Sequence, residues 1–218
     1  MKYDRWFLIL AVVLAVVPIA ITLCVYSSLP AEIVMQWGFD GSVDYREKAQ
    51  LIMMSALPLI LLPVMLISPK IDPKRNNYKN FGAAYQSFVI VMLLFLIEMT
   101  CIVISEALFP GKISIYSVVT ISLGLLFVFL GNMMPKVKSN HFVGIRTPWT
   151  RSDPDVWFKT NRLGGYMMFA AGIIICFIPF FLPETVGFIA MVALIFIAAI
   201  IPSVMSYIWY RDSSKGAE

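Results

Sequence analysis

Charge is scarce in this chain. Of 218 residues only 14% are Asp, Glu, Lys or Arg, while 60% are hydrophobic. A soluble domain is nearer to half apolar and a quarter charged, so that class is excluded. Histidine occurs once, at His141, and cysteine three times, at positions 24, 101 and 176, each inside an apolar block. This spacing supports neither a disulfide framework nor a zinc site, and the cysteines read as small buried hydrophobes. There is no H-E-x-x-H, phosphate-binding loop, nucleophile elbow or Cys pair. His141 has no carboxylate or cysteine near it in sequence and reads as a polar surface residue. The sequence therefore predicts no catalytic set, no metal and no cofactor.

What the chain has instead is long apolar blocks. Six of them, at 6–26, 51–67, about 82–105, about 113–134, about 164–182 and about 185–210, approach or exceed the roughly 20 residues of a membrane-spanning helix. They are continuous, not alternating, which excludes a β-barrel. The predicted fold is an all-α integral membrane protein with six transmembrane helices. Lys2 and Arg5 before the first block resemble a cleavable signal, but the run is long and no small-x-small pattern follows before Ser27. It reads as a retained span kinked at Pro18. Ser68-Pro69 is expected to end the second span and Pro183 the fifth.

Orientation follows from Lys and Arg. Arg46, Lys48 and Lys112 fall on one side of the predicted spans, and the other fourteen on the opposite side. Cytoplasmic loops carry the excess, so both termini and the 131–165 stretch are expected inside and the 27–50 loop outside. The net charge of +4 marks this asymmetry and not a nucleic-acid partner. The five Trp lie near predicted span ends or in loops, as an aromatic belt would place them.

Stretch 131–165 interrupts the apolar pattern. It holds six of the seventeen Lys and Arg, two Trp and the only His. Connections this long are functional or disordered more often than idle, and the Trp, Phe, Val and Ile here speak against disorder. Gly144 permits a sharp turn and Pro148 holds Thr147 extended, so Arg146 is expected to point in a defined direction. Ser152 with Asp155 reads as a capping box, or Asp153 as the cap with Pro154 at the first helical position. The helix that follows, with Val156, Trp157 and Leu163 towards one side, is expected to rest on the inner membrane surface before the fifth span. Anionic lipid contact would account for the lysines by itself.

Two further places stand out. Glu98 is the one ionisable residue well inside a span, and its one-turn neighbours offer no counter-ion. It should face the bundle interior or a cavity and take its partner from another span. Either a functional role or a protonated, hydrogen-bonded carboxyl nearer the interface fits it. The outer loop carries Glu32, Trp37, Asp40 and Asp44, and would receive a basic or amphipathic peptide or serve as a solvated cap. Ser117, Thr120, Gly124 and Gly131 form a small-residue face on span four, and Gly165 and Gly172 stand seven apart on span five. Such faces favour close helix packing over a conduction path.

Several of these residues together carry a resemblance. Asn132-Met133-Met134-Pro135-Lys136, Asn140, Gly144-Ile145-Arg146-Thr147-Pro148-Trp149-Thr150, Val156-Trp157 and Lys159-Thr160 resemble the signature of the SdpI-like immunity family. Leu29-Pro30, Ile33, Trp37, Gly41, Asp44 and Lys48 resemble a module often found amino-terminal to it. The resemblance implies a two-span module over 1–80 with an acidic extracellular loop, and a four-span module over 81–218. It implies a bacterial plasma-membrane protein, non-enzymatic, that protects its cell from a secreted membrane-active peptide toxin. In one branch of the family it also implies signalling, by holding a transcriptional repressor at the membrane. Membrane lipids are the remaining expected partner. Where the family commonly has His, this chain has Gln36 and Asn161, so no metal or proton role of those His carries over. The alternative reading is a transporter of small molecules, ions or peptides with Glu98 on its path.

Overall fold

A computed structural model describes residues 3–38 and 41–215. The helices are α1 Arg5–Val25, α2 Ala49–Ile71, α3 Gly82–Leu108, α4 Ile115–Met133, α5 Pro148–Ser152, α6 Pro154–Phe181 and α7 Glu184–Lys215. All but the single-turn α5 are long and apolar enough to cross a membrane. Much of their apolar surface points outward, as at Phe180 and Phe181, 70% and 79% exposed. Exposed apolar surface on that scale marks a lipid-facing perimeter. Cys24 lies on it, exposed and not buried as the sequence suggested.

The chain is not all-α. Between α1 and α2, β1 (Glu32–Trp37) and β2 (Val43–Glu47) form an antiparallel hairpin, with an irregularity between Val34 and Gln36. The turn closes through Gly38 N–H to Ser42 O at 2.8 Å, with Gly41 at φ +80°, a conformation glycine adopts without steric cost. The hairpin docks through Ile33, buried with Leu29, Leu51, Val103 and Ile104. Lys48 secures it, donating to the carbonyls of Tyr26 at 3.1 Å and Leu29 at 3.0 Å. Carbonyls past the end of α1 suit a cation.

Helix α2 does not stop at Ser68-Pro69 but continues to Ile71. Pro69 has no N–H for the Met65 carbonyl, and the Tyr85 hydroxyl donates to that oxygen instead, at 2.6 Å. Tyr3 donates to the neighbouring Leu66 O at 3.0 Å. A donor from α3 thus carries the helix past Pro69.

Helices α1, α2 and α3 pack on one another around Phe7, Ala11, Ala15, Leu62, Tyr85, Val89 and Leu93. Helix α6 packs on α4 and α7, and α3 touches α4 less extensively. The α4–α6 pair is nearly backbone against backbone. A Cβ on Gly131 would sit 2.6 Å from the Gly165 carbonyl, and one on Gly172 2.6 Å from the Gly124 carbonyl. The two pairs are one heptad apart on each helix, so the small-residue faces are a packing seam.

The expected surface helix before span five is not separate. Helix α6 runs unbroken from Pro154, with Asp153 as its cap, accepting from Asp155 N–H at 2.7 Å and Val156 N–H at 3.3 Å. Ser152 makes no capping box and donates back to Pro148 O. Val156 and Trp157 are buried against protein, not laid on a membrane surface. Gly164 and Gly165 lie where Ile145, Pro135 and Gly131 press against α6.

Candidate functional site

The ends of α2, α4, α6 and α7 remote from the hairpin converge on a polar knot built from 137–153. At its base lies Asp72, the residue after α2, 1% exposed. Its carboxylate accepts from Lys74 N–H (2.7 Å), Tyr78 OH (3.0 Å), His141 N–H (2.8 Å) and the His141 ring Nδ1 (2.9 Å). Burial alone would push this carboxyl up, but the donors from His141, Lys74 and Tyr78 outweigh it and hold it below its ordinary value. His141 is therefore not a free surface residue. Asp72 was missed because its partner is 69 positions away; the visible signal was a lone acid directly before Pro73.

Asn140, 1% exposed, organises the next turn. Its Oδ1 accepts from the N–H groups of Phe142 (2.8 Å) and Val143 (2.7 Å), and its Nδ2 donates to Lys138 O and Val143 O, both 2.9 Å. Gly144 then passes over Trp157 and Asn161 with φ +110°. A side chain there would strike Asn161 Oδ1, which accepts from Ile145 N–H at 2.8 Å. Trp157 is no belt residue. It is 3% exposed and its Nε1 donates to Val137 O at 3.0 Å.

Thr147 is extended and caps α5 in a reciprocal box with Thr150, with Pro148 at the first helical position. Its hydroxyl also meets Ser206 of α7 at 2.9 Å, and Trp149 lies 5.1 Å from the Tyr207 ring. Arg146 donates through Nη1 to His141 O and is otherwise exposed. Asn132 and Lys136 are exposed, and Pro135 lies against Gly165. Most of the singled-out residues of this stretch thus meet in one body, joined by Asp72, Tyr78, Asn161 and Ser206, which sequence reading did not place there.

The hairpin end is separate. Asp44 is paired with Arg46 at 2.7 Å in an exposed ion pair. Glu32 stands opposite Glu47, and Trp37 opposite Val43. Asp40 lies outside the described residues. Glu98 sits apart from both ends, midway along the bundle. Its Oε1 accepts from the Ser122 hydroxyl of α4, and the two line a cleft of about 160 Å³ with Val91, Leu94, Phe95, Leu125 and Leu126. Among the described residues no cluster of His, Cys, Asp and Glu could hold a metal ion.

Residues 136–206 match the model of the SdpI/YfhL protein family. That match begins at Lys136, one residue before the polar knot, and ends at Ser206, its contact on α7. Over 203 residues, 93% of this chain and 95% of the relative, the sequence is 25% identical to the Immunity protein SdpI of Bacillus subtilis (strain 168). No solved structure matches.

Proposed function

We propose that this chain, a member of the SdpI-like family, is a plasma-membrane immunity protein that protects its bacterium against a secreted, membrane-active peptide, without enzymatic chemistry. The observation that carries the reading is the match along nearly the whole length to a protein named for immunity. The knot supports it, since the matched segment is a shaped, buried hydrogen-bond network and not a loose basic tail. The hairpin end faces outward and meets the peptide. The knot faces the cytoplasm, where anionic lipid surrounds its lysines and where a held repressor, in a signalling member, would dock. The test is expression in a strain sensitive to such a peptide, scored as survival against membrane abundance. Normal abundance with no protection against a panel of membrane-active peptides would reject it.

One observation favours a second reading. The Glu98–Ser122 pair lines a cleft between α3 and α4, and an intramembrane acid is where a proton-coupled path would run. A transporter should lose protection when the proton gradient is collapsed under conditions where the toxin still acts. An immunity protein should not.

A further inference from the structure

We infer that the cavity between the hairpin tip and the adjoining ends of α4 and α7 is a receptor for one basic side chain of a peptide ligand. This deepens the immunity reading and rests on it. The cavity measures about 200 Å³. Pockets for drug-sized ligands are roughly 300–1,000 Å³, so it suits a single side chain and not a whole small molecule.

Its lining defines the chemistry. Trp37 comes from the hairpin, Tyr116 from α4, and Phe188 and Glu184 from α7, above an apolar floor that includes Leu123 and Met191. Three aromatic side chains and one carboxylate suit a desolvated cation, and the floor suits the alkyl stem that carries a Lys or Arg charge. The walls are built and not incidental. Tyr116 donates to Leu182 O at 3.4 Å, and a Cβ on Gly187 would collide with the Tyr116 hydroxyl. Glycine at 187 is what lets that ring lie across the start of α7.

The charge around the cavity agrees. Lys48 is held by the Tyr26 and Leu29 carbonyls and Arg46 by Asp44, so both hairpin cations are engaged elsewhere. The cavity also joins the amino-terminal hairpin to the segment that carries the family match, so a ligand there touches both.

The test uses the full chain in dodecyl maltoside, with acetyl-Leu-Lys-Leu-amide and its norleucine analogue as probes, read by tryptophan fluorescence and calorimetry. The lysine peptide should bind saturably and about tenfold or more tighter than the analogue. Glu184→Gln should abolish that preference while keeping the wild-type circular dichroism. Trp37→Leu should weaken the lysine peptide roughly 2- to 30-fold. Equal binding of the two probes, or a preference that persists in Glu184→Gln, overturns the proposal. Displacement by added phosphatidylethanolamine also overturns it, because the occupant is then a lipid headgroup. Cells that stay protected when the probe shows no preference separate failure of this site from failure of the immunity reading.

Discussion

Asp72 and His141 are joined twice across the turn that closes the knot. The backbone N–H of His141 donates to Oδ2 at 2.8 Å, and its ring Nδ1 lies 2.9 Å from Oδ1. A carboxylate only accepts, so the proton of this pair sits on Nδ1. The link fixes the start of the 138–153 loop to the end of α2, and both Asn140 and Arg146 take their positions from it.

A pH dependence follows. The Asp72 carboxyl is held below its ordinary 3.8. A depressed folded pKa gives stability that is complete above the unfolded value and lost as pH falls through the folded one. The melting temperature of the purified protein should therefore include a flat Asp72 contribution from neutral to about pH 5 and lose it below 3.8. Asp72→Asn should cost about 1–3 kcal/mol at neutral pH, because donors that met a carboxylate would meet an amide NH₂. The variant's curve should converge on wild type in acid. Parallel curves would show that Asp72 does not carry this term.

The α4–α6 seam gives a second expectation. Gly131→Val places methyl groups where the Gly165 carbonyl and the Phe169 backbone lie. Overpacking of this kind costs about 1–3 kcal/mol, and more where backbone must move. Ala170→Val, on the exposed side of α6, should be nearly silent. Thermal unfolding in detergent compares the two, and equal melting temperatures would dismiss the seam.

Apolar length made the six helices legible, because in lipid only internally bonded backbone is tolerated. Ile71 as the true end of α2 was not legible, since the donor that rescues the carbonyl freed by Pro69 is Tyr85, on the next helix. The hairpin was hidden because Glu32–Trp37 alternates only weakly and has one fully buried residue, Ile33. In the candidate site, the turn at Gly144 and the extended Thr147 were readable from local backbone rules. Asp72, Tyr78, Asn161 and Ser206 were not, since each enters through a contact far away in sequence. Trp157 was misread for a related reason. Its belt position in the sequence says nothing of the Val137 carbonyl waiting for its N–H.

The topology is open to direct labelling. Ser42→Cys should react with an impermeant maleimide in intact cells, in a background with the three native cysteines replaced. A reporter fused after Glu218 should read cytoplasmic. Labelling of the Ser42 site only after lysis would invert the map and move the knot to the outer face.

Glu98 separates function from structure through two substitutions. Glu98→Gln keeps a hydrogen-bond partner for Ser122 and removes the charge, so a functional carboxylate predicts impaired protection at normal abundance. Glu98→Leu that expresses and protects as wild type would leave the carboxyl no role beyond its bond to Ser122.

The last expectation concerns Arg146, which should matter more than the lysines around it. Its guanidinium uses one N–H on His141 O and leaves the rest of a rigid planar fork exposed at the edge of the knot. That fork suits bidentate contact with a carboxylate or a phosphate. Its direction is fixed by Gly144 on one side, where a side chain would strike Asn161, and by the Thr147–Thr150 box on the other. Lys136 and Lys138 are exposed point charges that anionic lipid alone would hold. Arg146→Lys keeps the charge and loses the fork, so it should impair protection per molecule in the membrane, and Lys138→Arg should not. Trp149→Ala should act with Arg146→Lys, by releasing the stretch from Tyr207 on α7. If Arg146→Lys is silent while neutralising any two lysines is harmful, the stretch works as a lipid anchor and its shape serves only the fold.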